Sequence, residues 1–480
     1  MNKLKKNIGY QTIYQLLNVL LPLITAPFLA RVLGATQLGI MSYTTSIVNY
    51  FSLFAMMGII NYGTRSIAIV KEDAFIRNRV FSEIFYMQLI SCSVALIVYI
   101  FYMLFVCNDN QLIAWIQIIT ILSCFFDVSW FFFGIEEFKI TVVRSMIVRI
   151  ISVALMLILI KDESDLWIYA LLLLGSTFVS QIILWFYLPR YVKFVSCRIR
   201  CIISHFKANL LLFIPLLAMS VFHIMDKTML GWFSTYEQSG FYYNADKVVN
   251  IPVSILLGIG TVMLPRMSSI AENENENYFN TIFNHVVIGI AVVSSVMAFG
   301  IASIAKEFTP LFFGKGYDEC VLLIIVLAPV LFVKGMAFTV RYMYLIPQKK
   351  EIILTYAVIA GAVVNLFVNL VLIPRYGALG AVIGTLVAEV VTCVFQYYKI
   401  HKYINCWRSI RKSMVYVIFG FLMMFVIRIL AREISCYLFI KLLVEIAIGA
   451  TCYCTLCFLY WKLTKNKMAM NIMKDIIKRK

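Results

Sequence analysis

Apolar runs of roughly 18–25 residues recur along the whole chain, and each is long enough to cross a hydrocarbon core of about 30 Å as a helix. We place about fourteen of them. The first seven cover about 10–30, 38–60, 82–106, 112–134, 142–160, 166–188 and 208–233. The rest cover about 241–265, 283–305, 320–346, 353–373, 378–400, 414–432 and 437–461. They lack period-two alternation and are too long for barrel strands, so helices are expected. Composition agrees. The 480 residues are 62% hydrophobic and 14% charged, against about 25% charged in soluble domains. No single water-soluble core hides that much apolar surface. The expected fold class is an all-α integral membrane protein. The opening "MNKLKKNIGYQTIYQLLNVLLPLITAPFLARVLG" is basic and then apolar, like a secretory signal. Its apolar part is too long and no small-x-small cleavage site follows, so it reads as a retained first span.

The net charge of +18 would suggest nucleic acid on a soluble domain. Here the bases lie between apolar runs and read as topology signals and anionic-headgroup contacts, so no nucleic-acid partner is expected. With the N-terminus inside, about 29 Lys/Arg fall in cytoplasmic segments, about 7 outside and about six within spans. The strongest inside loops, "RYVKFVSCRIRCIISHFK" (190–207) and "KIHKYINCWRSIRK" (399–412), contain no acid. An even number of spans also puts the tail "KDIIKRK" inside. The expected domains are a lobe over 1–189, a basic linker 190–207, a second lobe over 208–400, and a terminal helix pair with its tail over 401–480.

A weak internal echo supports that division. "LGATQLGIMSY" follows the first span and "LGWFSTYEQSGFYYNADK" the seventh, with Gly39 and Gly240, Tyr43 and Tyr243, and Gly58 and Gly258 at nearly one offset. Pro22 and Pro27 in the first span answer Pro215 in the seventh. Such repeats with interrupted helices point to a transporter whose site lies between two lobes. Chance similarity among apolar helices is the competing account. Six spans per lobe would make the repeats parallel.

Charges inside spans are costly and usually face a partner or a wet cavity. Lys334, in "LAPVLFVKGMAFTV", lies about 21 Å into its span at 1.5 Å per residue. Glu389 in "GTLVAEVV" is at similar depth. Either the two form a structural pair, or Lys334 faces a lumen and an anion. "HIMDKTMLGW" (Asp226, Lys227) and "NADKVVN" (Asp246, Lys247) raise the same choice. They pair across helices, or a lysine faces the cavity while an Asp serves as a proton or cation site. Asp127 and Arg149, at equal depth on adjacent spans, read as a structural pair. Arg31 and Arg65 end spans and read as interface anchors, and Asn365 and Asn369 as cross-helix hydrogen bonders. The slight excess of cations suits a phosphate-bearing substrate.

The cysteines of "CYCTLC" (Cys452, Cys454, Cys457) and "CRIRC" (Cys197, Cys201) lack a second ligand pair nearby, so no metal site is expected. There is no P-loop, HExxH motif or nucleophile elbow, and the chain is not read as an enzyme.

Several stretches together resemble the bacterial polysaccharide repeat-unit flippases, the Wzx-like O-antigen and capsule translocases related to multidrug-and-toxin exporters. They are "PFLARVLGATQLGIMSY", "INYGTRSIA", "DVSWFFFGIEEFKIT", "IMDKTMLGWFSTYEQSGFYYNADKVV" and "NLVLIPRYGALGAVIGTLVAE". The resemblance implies two six-helix lobes in a V around a cavity, plus an extra helix pair. It implies flipping of undecaprenyl-pyrophosphate-linked oligosaccharide across the inner membrane by alternating access, without a bound cofactor. Polymerase and chain-length proteins of the same pathway are the implied partners, besides membrane lipids. The resemblance favours Arg31, Lys227 and Lys247 as cavity cations, with Lys334 fitting the same positive lumen. It implies a proton or sodium gradient as energy source, with Asp226, Asp246 and Glu389 as candidate coupling carboxylates. A drug or cation exporter of the same fold is the main rival, disfavoured by the basic lumen. A membrane glycan polymerase or ligase is disfavoured by the short outer loops.

Overall fold

A computed structural model describes residues 2–434 and 436–464, apart from most side chains before residue 20 and several between 211 and 223. The basic tail 474–480 and the side chain of Pro215 lie outside this description. Among the described residues there are α-helices and no strand. In order they are α1 (Asn2–Met56), α2 (Ile59–Ile69), α3 (Ala74–Phe105), α4 (Gln111–Ile116), α5 (Ile118–Phe126) and α6 (Ser129–Gly134). Then come α7 (Phe138–Leu159), α8 (Leu166–Tyr187), α9 (Ile199–Phe233), α10 (Tyr236–Asn273), α11 (Glu276–Phe312) and α12 (Asp318–Leu327). The last are α13 (Pro329–Val340), α14 (Glu351–Tyr376), α15 (Ala378–Ile400), α16 (Trp407–Glu433) and α17 (Leu438–Leu463).

Among the described residues, twelve helical stretches are long and apolar enough to cross a membrane. The first, Leu20–Ile69, takes in the second half of the first expected span and all of the second, divided at Gly34, whose φ of 74° and ψ of 174° are not helical. A side chain would be strained there, and glycine permits the kink. The 35-residue α9 supplies the expected seventh span. All fourteen expected spans therefore have a helix. Large apolar side chains such as Phe101, Phe105, Val262 and Phe186 point outward, as a lipid-facing surface requires.

The chain packs as two compact units, Met1–Tyr243 with Asn369–Ala381, and Asn244–Val368 with Val382–Lys480. The segment 190–207, expected as a linker, lies within the first unit. There Arg77 donates to the Tyr191 carbonyl, and the amides of Lys193 and Val195 donate to Asn78 and Ser82.

In the first unit the expected fourth span is broken into α4, α5 and α6. The break at Asp127 frees carbonyl groups, which in lipid must find donors. Gln88 of α3 supplies them: its amide donates to the carbonyls of Cys124 (2.6 Å) and Asp127 (2.9 Å) and accepts from the Trp130 indole (2.9 Å). Phe81, Phe85, Trp130 and Phe131 pack around this point. Gly39 and Gly240, the first glycine pair of the internal echo, meet in the same unit. A Cβ on Gly39 would overlap the Tyr236 carbonyl, and one on Gly240 would overlap that of Ala35. Only glycine allows that backbone approach.

The second unit buries Phe283, Tyr344, Tyr397, Tyr416 and Tyr453 among α11, α13, α15, α16 and α17. After α13 the chain runs through a π-helical turn, Arg341–Leu345. Such turns are uncommon and recur at functional sites.

Candidate functional site

In the first unit, Asp226 of α9 is only 4% exposed. The Tyr242 hydroxyl of α10 donates to its Oδ2 at 2.7 Å, and the Asn369 amide of α14 donates to its Oδ1 at 2.6 Å. Hydrogen bonds to a charged acceptor are the strong kind, and these two fix the carboxylate's orientation. They also explain why the short segment Asn369–Ala381 joins the first unit. Its other tie is Gln238, whose side-chain oxygen accepts from the Ala378 amide at 2.9 Å beside Gly377, where φ is 54°. Lys227, one residue on, is half-buried with Nζ 5.7 Å from the centre of the Tyr243 ring. Below Asp226, Thr228 donates to Ser46 of α1 at 2.9 Å.

In the second unit, Lys334 of α13 and Glu389 of α15 meet, with Nζ 3.4 Å from Oε1 and both side chains nearly buried. The structure therefore brings together the two residues whose depths matched in the sequence. Asp246 of α10 is half-buried and accepts from Asn250, one helical turn on, at 2.5 Å. Lys247 beside it is half-buried, and Arg31 is exposed just before the Gly34 kink.

Asp127 and Arg149 are not brought together. Asp127 ends α5 and turns to the start of α6, where the Ser129 amide (2.9 Å) and hydroxyl (2.5 Å) donate to it. The arginine whose charge reaches it is Arg144. Arg149 is exposed and lines a cavity of about 350 Å³ together with Arg144, Ser145, Ser180 and Gln181. Equal depth was a poor guide here because at the helix break the Asp127 carboxylate is taken up by Ser129, two residues on.

Sequence reasoning passed over Tyr242, Arg144 and the pairing of Asn369 with Asp226. It also passed over Glu83, which is 7% exposed and accepts from Arg79 at 3.0 Å and faces His205 Nε2 at 2.9 Å. The Tyr62 hydroxyl lies 2.6 Å from the other nitrogen of that histidine. Arg428 in "FVIRIL" and Glu445 in "LLVEIAIG", lone charges in apolar text, carry the same signal as Lys334.

The model of the polysaccharide biosynthesis protein family matches residues 4–271, more than half of the sequence. The chain belongs to that family. This polysaccharide biosynthesis protein is also matched over residues 141–449 by the model of the lipid II flippase MurJ family. It is 26% identical over 404 residues to a candidate O-antigen transporter of Shigella dysenteriae, covering 82% of this chain and 98% of the relative. A second candidate O-antigen transporter, from Escherichia coli K12, is 22% identical over 84% of this chain and 98% of its own. In fold it is similar to the lipid II flippase MurJ in an inward closed conformation. That likeness has a TM-score of 0.76 at 15% identity, over 95% of this chain and 99% of the other. A MATE family multidrug transporter of the MOP superfamily, inward-facing, follows with a TM-score of 0.61 at 13% identity, over 80% and 95%.

Proposed function

We propose that this protein is a Wzx-like flippase that moves lipid-linked oligosaccharide repeat units across the membrane for surface polysaccharide assembly. The observation that carries this is full-length kinship with candidate O-antigen transporters on a chain with a lipid flippase's fold. The substrate we assign is an undecaprenyl-pyrophosphate-linked oligosaccharide destined for O-antigen, capsule or a related glycan. The mechanism is alternating access between lobes 1–189 and 208–400, which the parallel echo in the sequence supports. Lys227, Lys247 and Arg31 hold the pyrophosphate, a doubly anionic group for which cations are the natural partners. Lys334 contributes positive charge only when its pairing with Glu389 is relaxed. The protein lies in the bacterial inner membrane with both termini inside, a reading that rests on the bias of Lys and Arg toward inside loops. Polymerase and chain-length proteins of the pathway are its expected partners.

An ion gradient drives the cycle, and Asp226 is the coupling carboxylate, taking a proton or sodium. Its support is the dry, oriented carboxylate held by Tyr242 and Asn369. Asp246 is the second candidate for that role. The test is complementation of a strain lacking its own repeat-unit flippase while making a matched precursor. Surface polysaccharide restored by this protein supports the reading. Precursor retained in the cytoplasmic leaflet, with the protein well expressed, contradicts it.

A further inference from the structure

The second unit contains a charged cluster that the transport reading leaves unused. Glu307 near the end of α11 is 5% exposed. Its Oε2 accepts from Arg428 of α16 at 2.9 Å, and its Oε1 lies 3.6 Å from Lys441 of α17. One turn along α17, Glu445 is 0% exposed, and neither of its oxygens accepts a hydrogen bond from a donor among the described residues, its nearest polar neighbour being the Glu307 carboxylate. The second terminal nitrogen of Arg428 is likewise buried without one. The charged groups that act on Glu445 are Glu307 from α11, Arg428 from α16 and Lys441 from its own helix. These are the helices packed around it.

An ionised carboxylate out of water with no donor costs several kcal/mol, and both nearby cations are already engaged by Glu307. Those cations are themselves only partly buried, at 30% and 21% side-chain exposure, whereas the Glu445 carboxyl is fully buried. A proton on Glu445 removes the cost. Lys441 stands four residues before Glu445 on one helix, the spacing at which two side chains meet. It therefore has two carboxylates within reach and needs only a rotamer change to exchange them.

We propose that Glu445 is a proton-binding site whose release of the proton turns Lys441 from Glu307 onto Glu445. In that step the O–H bond of Glu445 breaks, the proton leaves on the side where Arg428 and Lys441 are exposed, and one ion pair replaces another. No electron moves. In the protonated form Lys441 ties α17 to α11; in the deprotonated form it is folded back along α17. The terminal helix pair thus carries a switch between docked and loosened states, set by the proton. Its use in powering transport rests on the flippase reading, whereas the proton binding does not.

The test is infrared difference spectroscopy of the purified full-length protein between acid and alkaline pH, with E445Q and K441M. A protonated-carboxyl C=O band that titrates in the wild type is expected to be lost in E445Q. In K441M its midpoint moves to higher pH, because the cation that receives the carboxylate has gone. A band unchanged in E445Q overturns the site. A midpoint unmoved in K441M overturns the exchange, and K441M decides alone should E445Q fail to accumulate. Neither readout needs substrate, so a chain that titrates in this way but does not complement contradicts only the flippase reading.

Discussion

Asp226 in the first unit and Glu389 in the second are both acids buried in apolar helices, at 4% and 6% exposure, yet the protein handles them differently. Asp226 accepts from a tyrosine hydroxyl on one oxygen and an asparagine amide on the other, which together orient the carboxylate. Glu389 faces the ammonium of Lys334 at 3.4 Å, so the two charges offset each other. Under the proposed coupling, the first arrangement orients a carboxylate for a proton or sodium ion. The second stabilises the packing of α13 on α15 and holds the charges to each other. Burial alone therefore does not identify a working charge, and the chemistry of its partners is the better guide.

The comparison breaks most readily at Asp226. D226N is expected to accumulate normally while surface polysaccharide in the complemented strain falls to background; transport by D226N at the wild-type level would erase the distinction. The next effect is on stability. K334M leaves Glu389 buried without its cation, which costs about 3–5 kcal/mol, and adding E389Q should recover most of that loss. Thermal unfolding of the purified single and double variants measures it, and strictly additive losses would deny the pair. Y242F and N369A each remove one hydrogen bond to a charged acceptor, worth about 1.5–3 kcal/mol. Both should also weaken transport, sharpening the claim that these donors position Asp226.

The fold was legible in the sequence because lipid imposes one rule on every span: apolar, helical and long enough. Fourteen runs follow from that rule, while the interruptions and the polar extensions of helices such as α10 and α11 beyond the expected edges escaped it. Gly34 fuses two spans into one bent helix, and Asp127 divides another, since both depend on local backbone geometry that hydropathy does not register. The candidate site was legible in part. Lys334 and Glu389 announced each other by equal depth, but the same argument failed for Asp127 and Arg149, where a helix break redirects the acid. Asn369 was visible as a cross-helix hydrogen bonder, although its partner Asp226, 143 residues away, was not. Pairings of that kind are set by tertiary packing. The segment 190–207 read as a linker from its charge, and its backbone is bound into the first unit by Asn78 and Ser82, residues with no special signature.

The most direct test of the central claim uses purified protein in sealed liposomes loaded with undecaprenyl-pyrophosphate-linked oligosaccharide in one leaflet. The appearance of the sugar in the other leaflet is followed with an impermeant probe while a proton or sodium gradient is imposed. The account predicts protein-dependent flipping that the gradient accelerates and that D226N abolishes. Sugar that stays in its leaflet, with folded protein and an intact gradient, would contradict it.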